Sequence, residues 1–131
     1  MIKRKEIAHI ADIQLLVNSF YTTIRENALL GPIFDGVIGD RWPAHLEKMY
    51  RFWQTVLLEE HTYDGRPFPP HADLPVDREH FDTWVSIWHE TIDQHFEGAT
   101  AEEAKWRGVK MAGMFLSKME YYKTTPGRPL I

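Results

Sequence analysis

The residue best suited to chemistry in this chain is a histidine in a proline-rich segment. His71 lies in YDGRPFPPHADLP, residues 63–75, shortly after Pro67, Pro69 and Pro70. Each proline fixes its φ angle and removes a backbone donor, so the segment is predicted to be a stiff loop and not a helix or a central strand. An imidazole on a stiff loop loses little further entropy on binding. His71 is therefore a candidate ligand, with an exposed loop histidine as the alternative.

Three further polar-tipped residues lie on segments with helical periodicity. Tyr21 and His45 precede the proline-rich segment, and Trp84 follows it. A buried phenol needs a hydrogen-bond partner, and an indole N–H is a donor that cannot accept. His45 shares a helical stripe with Met49, so its ring would face the same pocket or swing into solvent. If each residue is considered by itself, Tyr21 would bond a backbone carbonyl, His45 would face solvent and Trp84 would pack in the core.

The remaining histidines do not form a metal-binding pattern. No two are spaced H-x-x-x-H, cysteine is absent, and the one Glu-x-x-His pair is Glu6 to His9. These spacings argue against the usual zinc and di-iron sites. The chain also lacks the G-x-S-x-G and G-x-G-x-x-G motifs of hydrolases and dinucleotide-binding proteins. We expect four histidines to be solvated or at helix edges: His61, His80, His89 and His95.

Helical spacing of apolar residues indicates an all-α domain of four principal helices. The first is predicted at residues 12–27 with Asp12 as N-cap, and the second at residues 40–58 with Pro43 in its first turn. The segment between them, LGPIFDGVIGD, is predicted to be a turn-rich connection that packs onto the core.

The last two helices carry clear start signals. The third is predicted to begin at Asp77, with Val76 and Phe81 as a hydrophobic staple, and to stop by Gly98. The fourth is predicted at residues 100–122, with Thr100 and Glu103 forming a capping box. Ala104 and Gly108 on its inner face would allow another helix to approach closely.

Composition limits the classes of protein. The chain has 131 residues, a formal net charge of −4 and no cysteine, and 13% of its residues are aromatic. It has no basic field for nucleic acid and no stretch near the ~20 apolar residues of a membrane span. We expect one cytoplasmic domain with a large-sided core, or with side chains that line a flat ligand.

Five blocks of the sequence together resemble the group III truncated haemoglobins. They are FYTTI at 20–24, LGPIF at 30–34, WPAHLEKMYRFW at 42–53, YDGRPFPPHADLP at 63–75 and HFDTWV at 80–85. The resemblance covers about residues 12–120, in the family's order and spacing. It implies a single domain over 1–131, a two-over-two helical sandwich around haem b, with its core at about 12–122 and a flexible tail at 123–131.

The resemblance also implies roles for individual residues. His71 would be the proximal iron ligand, and the distal residues that stabilise a bound gas would be Tyr21, His45 and Trp84. Contacts with the haem plane would come from Phe34, Met49, Phe52, Trp53, Trp84, Met111 and Phe115. The candidates for holding the propionates are Tyr63, Arg66, Arg78 and His80.

A protein of this family would bind dioxygen, nitric oxide and carbon monoxide. Distal donors would slow the release of dioxygen, which favours nitric oxide or dioxygen chemistry, or a peroxidase-like activity, over bulk transport. No flavin or nicotinamide site is visible, so an external reductase would supply electrons. We expect a monomer or weak dimer. The alternatives are a non-catalytic gas sensor or scavenger, and a haem-free regulatory globin with an apolar ligand.

Overall fold

The protein is described by a computed structural model that covers residues 4–63 and 75–124, with side chains up to residue 121. Arg66 and His71 lie outside this part of the chain, as do residues 125–131 of the tail predicted at 123–131; the first two residues of that predicted tail belong to the last helix. The roles predicted for Arg66 and His71 therefore stay predictions.

The described residues form five α-helices: α1 (Ile10–Glu26), α2 (Gly31–Ile38), α3 (Trp42–Leu58), α4 (Arg78–His95) and α5 (Ala99–Thr124). The all-α prediction is confirmed, but the prediction of a turn-rich connection at 30–40 was wrong because α2 occupies it. Pro32 lies in the first turn of α2, where its fixed φ favours a helix start and its missing N–H has no intrahelical partner to lose.

Two predicted helix starts need correction. Asp12 is the third residue of α1 and not its N-cap; its carboxylate accepts hydrogen bonds from the backbone N–H groups of Ala8 and His9, each at 3.0 Å. At α5 the expected Thr100–Glu103 capping box is absent. The Glu6 carboxylate, remote in sequence, accepts from Thr100 N at 2.8 Å instead. Both corrections concern N–H groups that any nearby carboxylate can satisfy.

The start of α4 agrees with the prediction. The Asp77 carboxylate accepts from Glu79 N at 3.1 Å, and Asp77 is the N-cap residue. Val76 is buried in an apolar cluster against which Phe81 packs. The cap and the staple together direct the chain into α4 at one edge of the cavity described below.

The helices pack in two layers. Helix α1 lies against α3 and α4, α4 lies against α5, and α3 also contacts α5, which gives the predicted two-over-two arrangement. The predicted close approach at Gly108 is confirmed, because a Cβ atom there would lie 2.5 Å from Cδ1 of Trp88. Among the described residues, no helix is long and apolar enough to cross a membrane.

Candidate functional site

One cavity between the two layers brings together most of the predicted site residues. Its volume is about 120 Å³. All five helices contribute to its wall, together with the segment that enters α4. The lining residues are Tyr21, Leu30, Ile33, Phe34, His45, Met49, Phe52, Trp53, Val76, His80, Phe81, Trp84, Met111, Ala112 and Phe115.

Tyr21 supplies a hydroxyl group to this apolar wall. Its side chain is 7% exposed. Its hydroxyl faces the cavity, and among the described residues none accepts a hydrogen bond from it. Burial raises the pKa of Tyr21 above its ordinary value, so the phenol keeps its proton at neutral pH and can act only as a neutral donor or acceptor. The hydroxyl is open to the cavity, where a ligand can complete its hydrogen bonding.

Trp84 supplies a second donor from α4. Its half-buried indole lines the cavity, and among the described residues none accepts a hydrogen bond from its N–H. The ring is held by Phe20, edge-on at a centroid distance of 5.2 Å, and by Trp88, stacked at 5.7 Å. Trp84 is therefore a core residue that still carries an N–H available to a ligand.

His45 lies in the cavity wall, in line with the pocket-facing interpretation. Its ring is edge-on to Tyr21 at a centroid distance of 5.3 Å and to Trp42 at 5.7 Å. These two contacts limit how freely the imidazole can turn toward solvent. The three predicted distal residues thus come from three helices, α1, α3 and α4, and line a single cavity.

A supporting network behind the distal residues was missed by the sequence analysis. The buried indole of Trp42 donates to the Asp35 carboxylate at 3.0 Å, and Arg25 donates to the same oxygen at 3.2 Å. The Arg25 guanidinium lies 4.5 Å from the centroid of the Trp42 ring, and that ring is edge-on to Tyr21 at 5.6 Å. No local signal marks this network, because its members come from α1, α2 and α3.

The apolar part of the wall matches the predicted haem contacts. The lining includes Phe34 from α2, three residues of α3 and two of α5: Met49, Phe52, Trp53, Met111 and Phe115. Tyr63 is not part of the lining, but its ring is edge-on to Phe52 at 5.3 Å, and its backbone N–H donates to Thr55. Its predicted propionate contact stays a prediction.

The cationic rim candidates differ in position. His80 lines the cavity, with 16% of its side chain exposed and Nδ1 3.0 Å from the Asp77 carboxylate. The hydrogen bond with His80 is the main cause that lowers the pKa of Asp77 below its ordinary value. Arg78 lies elsewhere, in a surface depression with Glu79 and Asp82, so the structure does not bring it to the cavity.

The side chains of the lining are of the kind that holds a haem. The cavity of about 120 Å³ is smaller than the roughly 300–1,000 Å³ of usual cofactor sites, so its wall would have to open around the group. A porphyrin needs an apolar cleft lined by large side chains, and a gas ligand of its iron gains from a few placed donors. The cavity provides both, because its wall is mostly aromatic and aliphatic while Tyr21 and Trp84 carry the two donors without described acceptors. The fold and this cavity define the class of protein: a truncated globin.

Comparison with known proteins shows which family the chain resembles. No family model matches the chain. The group 3 truncated hemoglobin ctb of Campylobacter jejuni subsp. jejuni serotype O:2 is 37% identical over 82 residues, which is 60% of this chain and 65% of that protein, just under two thirds of its length. The crystal structure of group III truncated hemoglobin from Campylobacter jejuni superposes with a TM-score of 0.84 at 29% identity, over 92% of this chain and 98% of that one.

In sequence and in fold the chain is similar to the group 3 truncated haemoglobins. Membership of a globin family implies a haem cofactor. The haem type and the residues that contact it are predictions that follow from the resemblance.

Proposed function

We propose that this protein binds diatomic gases at a histidine-ligated haem b and uses bound dioxygen to convert nitric oxide to nitrate. The observation that carries the proposal is the pair of donors, Tyr21 and Trp84, in one apolar cavity with no described acceptor for either. The predicted proximal ligand is His71. The haem, when bound, supplies an iron that coordinates the gas.

The cofactor would be held mainly by apolar contact. Phe34, Met49, Phe52, Trp53, Met111 and Phe115 line the cavity and would pack against the macrocycle. Burial of apolar surface between the macrocycle and these side chains would contribute roughly 25 cal/mol per Å² to the free energy of binding. His80, at the edge of the cavity, is the described residue best placed to meet a propionate. Its Nδ1 accepts from the Asp77 backbone N–H at 3.2 Å, so Nε2 is the donor that the ring can offer.

The distal donors favour retention of dioxygen. A hydrogen bond to a ligand atom with partial negative charge stabilises the bound ligand by roughly 1.5 to 3 kcal/mol. The same hydrogen bond is stronger in a cavity that excludes water. Tyr21 stays protonated because burial raises its pKa, and the Trp84 N–H cannot accept a hydrogen bond. Both groups would therefore stabilise a polarised ligand such as dioxygen and have less effect on carbon monoxide.

Slow release of dioxygen favours a reaction of the bound gas over transport of the gas to another site. Nitric oxide and dioxygen give nitrate on addition of one electron, which an external reductase would supply. In this reaction Tyr21 and Trp84 would hold dioxygen while nitric oxide reaches it. The His45 ring, with its centroid 5.3 Å from that of Tyr21, would bound the space that the second gas enters.

Two measurements test the proposal. The purified holoprotein is expected to show a haem absorption spectrum with a ferrous-carbonyl form. Stopped-flow mixing of the dioxygen complex with nitric oxide is expected to give stoichiometric nitrate and the ferric protein. A spectrum without haem would support a regulatory globin with another apolar ligand. Haem binding without nitrate formation would support a gas sensor or scavenger, and either result contradicts the proposal.

A further inference from the structure

Three tryptophan rings form a continuous stack beside the cavity. Trp53 and Trp88 lie at a centroid distance of 4.5 Å with 26° between their planes, and Trp88 and Trp84 lie at 5.7 Å with 19°. The two outer members line the cavity, and the central one is 1% exposed. The stack thus begins and ends at the wall of the site and passes through the core between α3 and α4.

The central indole is held from several sides. Its N–H donates to the backbone carbonyl of Ala104 at 2.9 Å, and Phe20 is edge-on to Trp88 at 5.0 Å. Gly108 leaves room for the ring, because a Cβ atom there would lie 2.7 Å from the indole nitrogen. These contacts fix one orientation of Trp88, in which its face is within about 26° of parallel to both neighbouring indoles.

This arrangement suits one-electron oxidation. Indole and phenol are the side chains of this wall that lose an electron most readily, but an oxidised phenol must also release its proton. Tyr21 has no described acceptor for that proton. An indole can hold the charge as a cation radical, and parallel neighbouring rings share it through their π systems. The Ala104 carbonyl that accepts from Trp88 is not a base, so the N–H proton stays on the ring.

We infer that the stack of Trp53, Trp88 and Trp84 is an electron relay that lets this protein reduce hydrogen peroxide at the haem. The inference rests on the proposed function only in requiring a bound haem. Reduction of one peroxide breaks the O–O bond, takes up two protons and two electrons, and gives two waters. Each electron leaves the stack toward the cavity. An external one-electron donor then reduces the resulting indole cation radical through Trp84, which is half-buried and the most exposed of the three rings.

The test uses the ferric holoprotein, one equivalent of hydrogen peroxide and no electron donor, with rapid freezing and electron paramagnetic resonance. An organic radical is expected whose line narrows when tryptophan carries ring deuterium and does not change when tyrosine does. Trp88→Phe is expected to lose most of this signal. Trp106→Phe is the control, because Trp106 is half exposed on α5 and contacts Arg107 and Lys110 of its own helix.

A second pair of variants avoids removing a tryptophan. Gly108→Ala would displace the Trp88 ring, whereas Gly113→Ala, on the same helix, has no atom within 4 Å of its added Cβ. Only Gly108→Ala is expected to lower the radical yield and to weaken the exciton-coupled circular dichroism of the indoles. The dichroism can be recorded without peroxide or haem turnover.

Some outcomes would overturn the relay. A radical that narrows only with deuterated tyrosine, or equal yields in the parent, Trp88→Phe and Gly108→Ala proteins, would each exclude the stack as the donor. If either outcome were found in a protein that still forms a ferrous-carbonyl spectrum, the relay would be excluded and the proposed gas binding would be unaffected. Loss of the haem spectrum itself would instead count against the proposed function.

Discussion

At the scale of single residues, the feature that matters most is a buried tyrosine hydroxyl with no described partner. A donor of this kind is available to a ligand that enters the cavity. Tyr21 and Trp84 each carry a donor without a described acceptor, and they line the same cavity from helices α1 and α4. Their cost to stability and their value for binding can be separated by substitution.

The first prediction concerns release of dioxygen. Tyr21→Phe and Trp84→Phe are each expected to accelerate it by about tenfold to a hundredfold, because a hydrogen bond of roughly 1.5 to 3 kcal/mol is lost and ~1.4 kcal/mol corresponds to a factor of ten. Carbon monoxide release should change less. Stopped-flow ligand displacement measures both rates. If both variants stayed within about twofold for dioxygen, these side chains would serve packing alone.

The second prediction concerns stability at the same residue. Tyr21→Phe in the haem-free protein is expected to leave the free energy of unfolding unchanged or to raise it by up to about 1 kcal/mol, because a buried hydroxyl without a described acceptor is removed while the ring contacts remain. Urea denaturation monitored by circular dichroism measures this. A clear loss of stability would mean that the hydroxyl has a structural partner.

At the scale of elements, helices α1, α2 and α3 are joined by a polar network behind the distal site. Asp35, on α2, accepts from Arg25 on α1 and from Trp42 on α3, and the Trp42 ring contacts both Tyr21 and His45. An exposed ion pair alone contributes about 0 to 1 kcal/mol. The indole hydrogen bond matters more for position, because it sets the ring against which two distal residues pack.

The third prediction tests this positioning role. Asp35→Ala is expected to speed dioxygen release by less than Tyr21→Phe does, because the Trp42 ring loses its anchor but Tyr21 keeps its hydroxyl. His45→Leu should alter the entry rate of ligands more than their retention. The matched control for Asp35→Ala is Asp40→Ala, because Asp40 lies just after α2 and has no polar contact among the described residues. Equal rates of dioxygen release in the Asp35→Ala and Asp40→Ala proteins would show that Asp35 does not position the distal residues.

The fourth prediction concerns the start of α1. Asp12 is 2% exposed and its carboxylate lies 2.7 Å from the Lys5 ammonium. Burial acts to raise the pKa of Asp12, but the hydrogen bonds from Lys5, Ala8 and His9 outweigh it and lower that pKa below its ordinary value. A carboxyl group with a lowered folded pKa stabilises the protein above its unfolded pKa of about 3.9, and this stability is lost as pH falls through the folded pKa.

Asp12→Asn should therefore lower the free energy of unfolding at neutral pH by about 1 to 3 kcal/mol and flatten its decline at acidic pH. Chemical denaturation at a series of pH values measures both effects. Asp40→Asn, at an exposed position with no polar contact among the described residues, is the control. An Asp12→Asn protein that kept the parent acid profile would show that this carboxyl group does not couple to folding.

At the scale of the whole molecule, the fold and its cofactor are expected to depend on each other. The two layers meet around a cavity lined by large apolar side chains, so a haem would cover surface that is otherwise wet or poorly packed. A ligand present at 1,000 times its dissociation constant adds about 4 kcal/mol to stability.

The fifth prediction follows from this linkage. The haem-free protein should melt well below the holoprotein at equal concentration, as measured by calorimetry. His71→Gly should lose haem, or bind it in a form that added imidazole restores, because the predicted proximal ligand is removed. Identical melting temperatures would contradict the linkage between haem binding and stability. An unchanged ferrous-carbonyl spectrum with full haem affinity in His71→Gly would contradict the assignment of His71 as the proximal ligand.

Local sequence signals predicted the all-α class, the start of α4 at Asp77, the close approach at Gly108 and the family. These depend on spacing along one helix, on a cap or on a run of residues, which are all properties of a short stretch of chain. The inward position of His45 and the carboxylate that caps α5 depend on contacts between segments far apart in sequence. The Arg25–Asp35–Trp42 network and the stack through Trp88 do so as well. Only the tertiary structure decided them, because side chains on different helices meet only after the helices have packed.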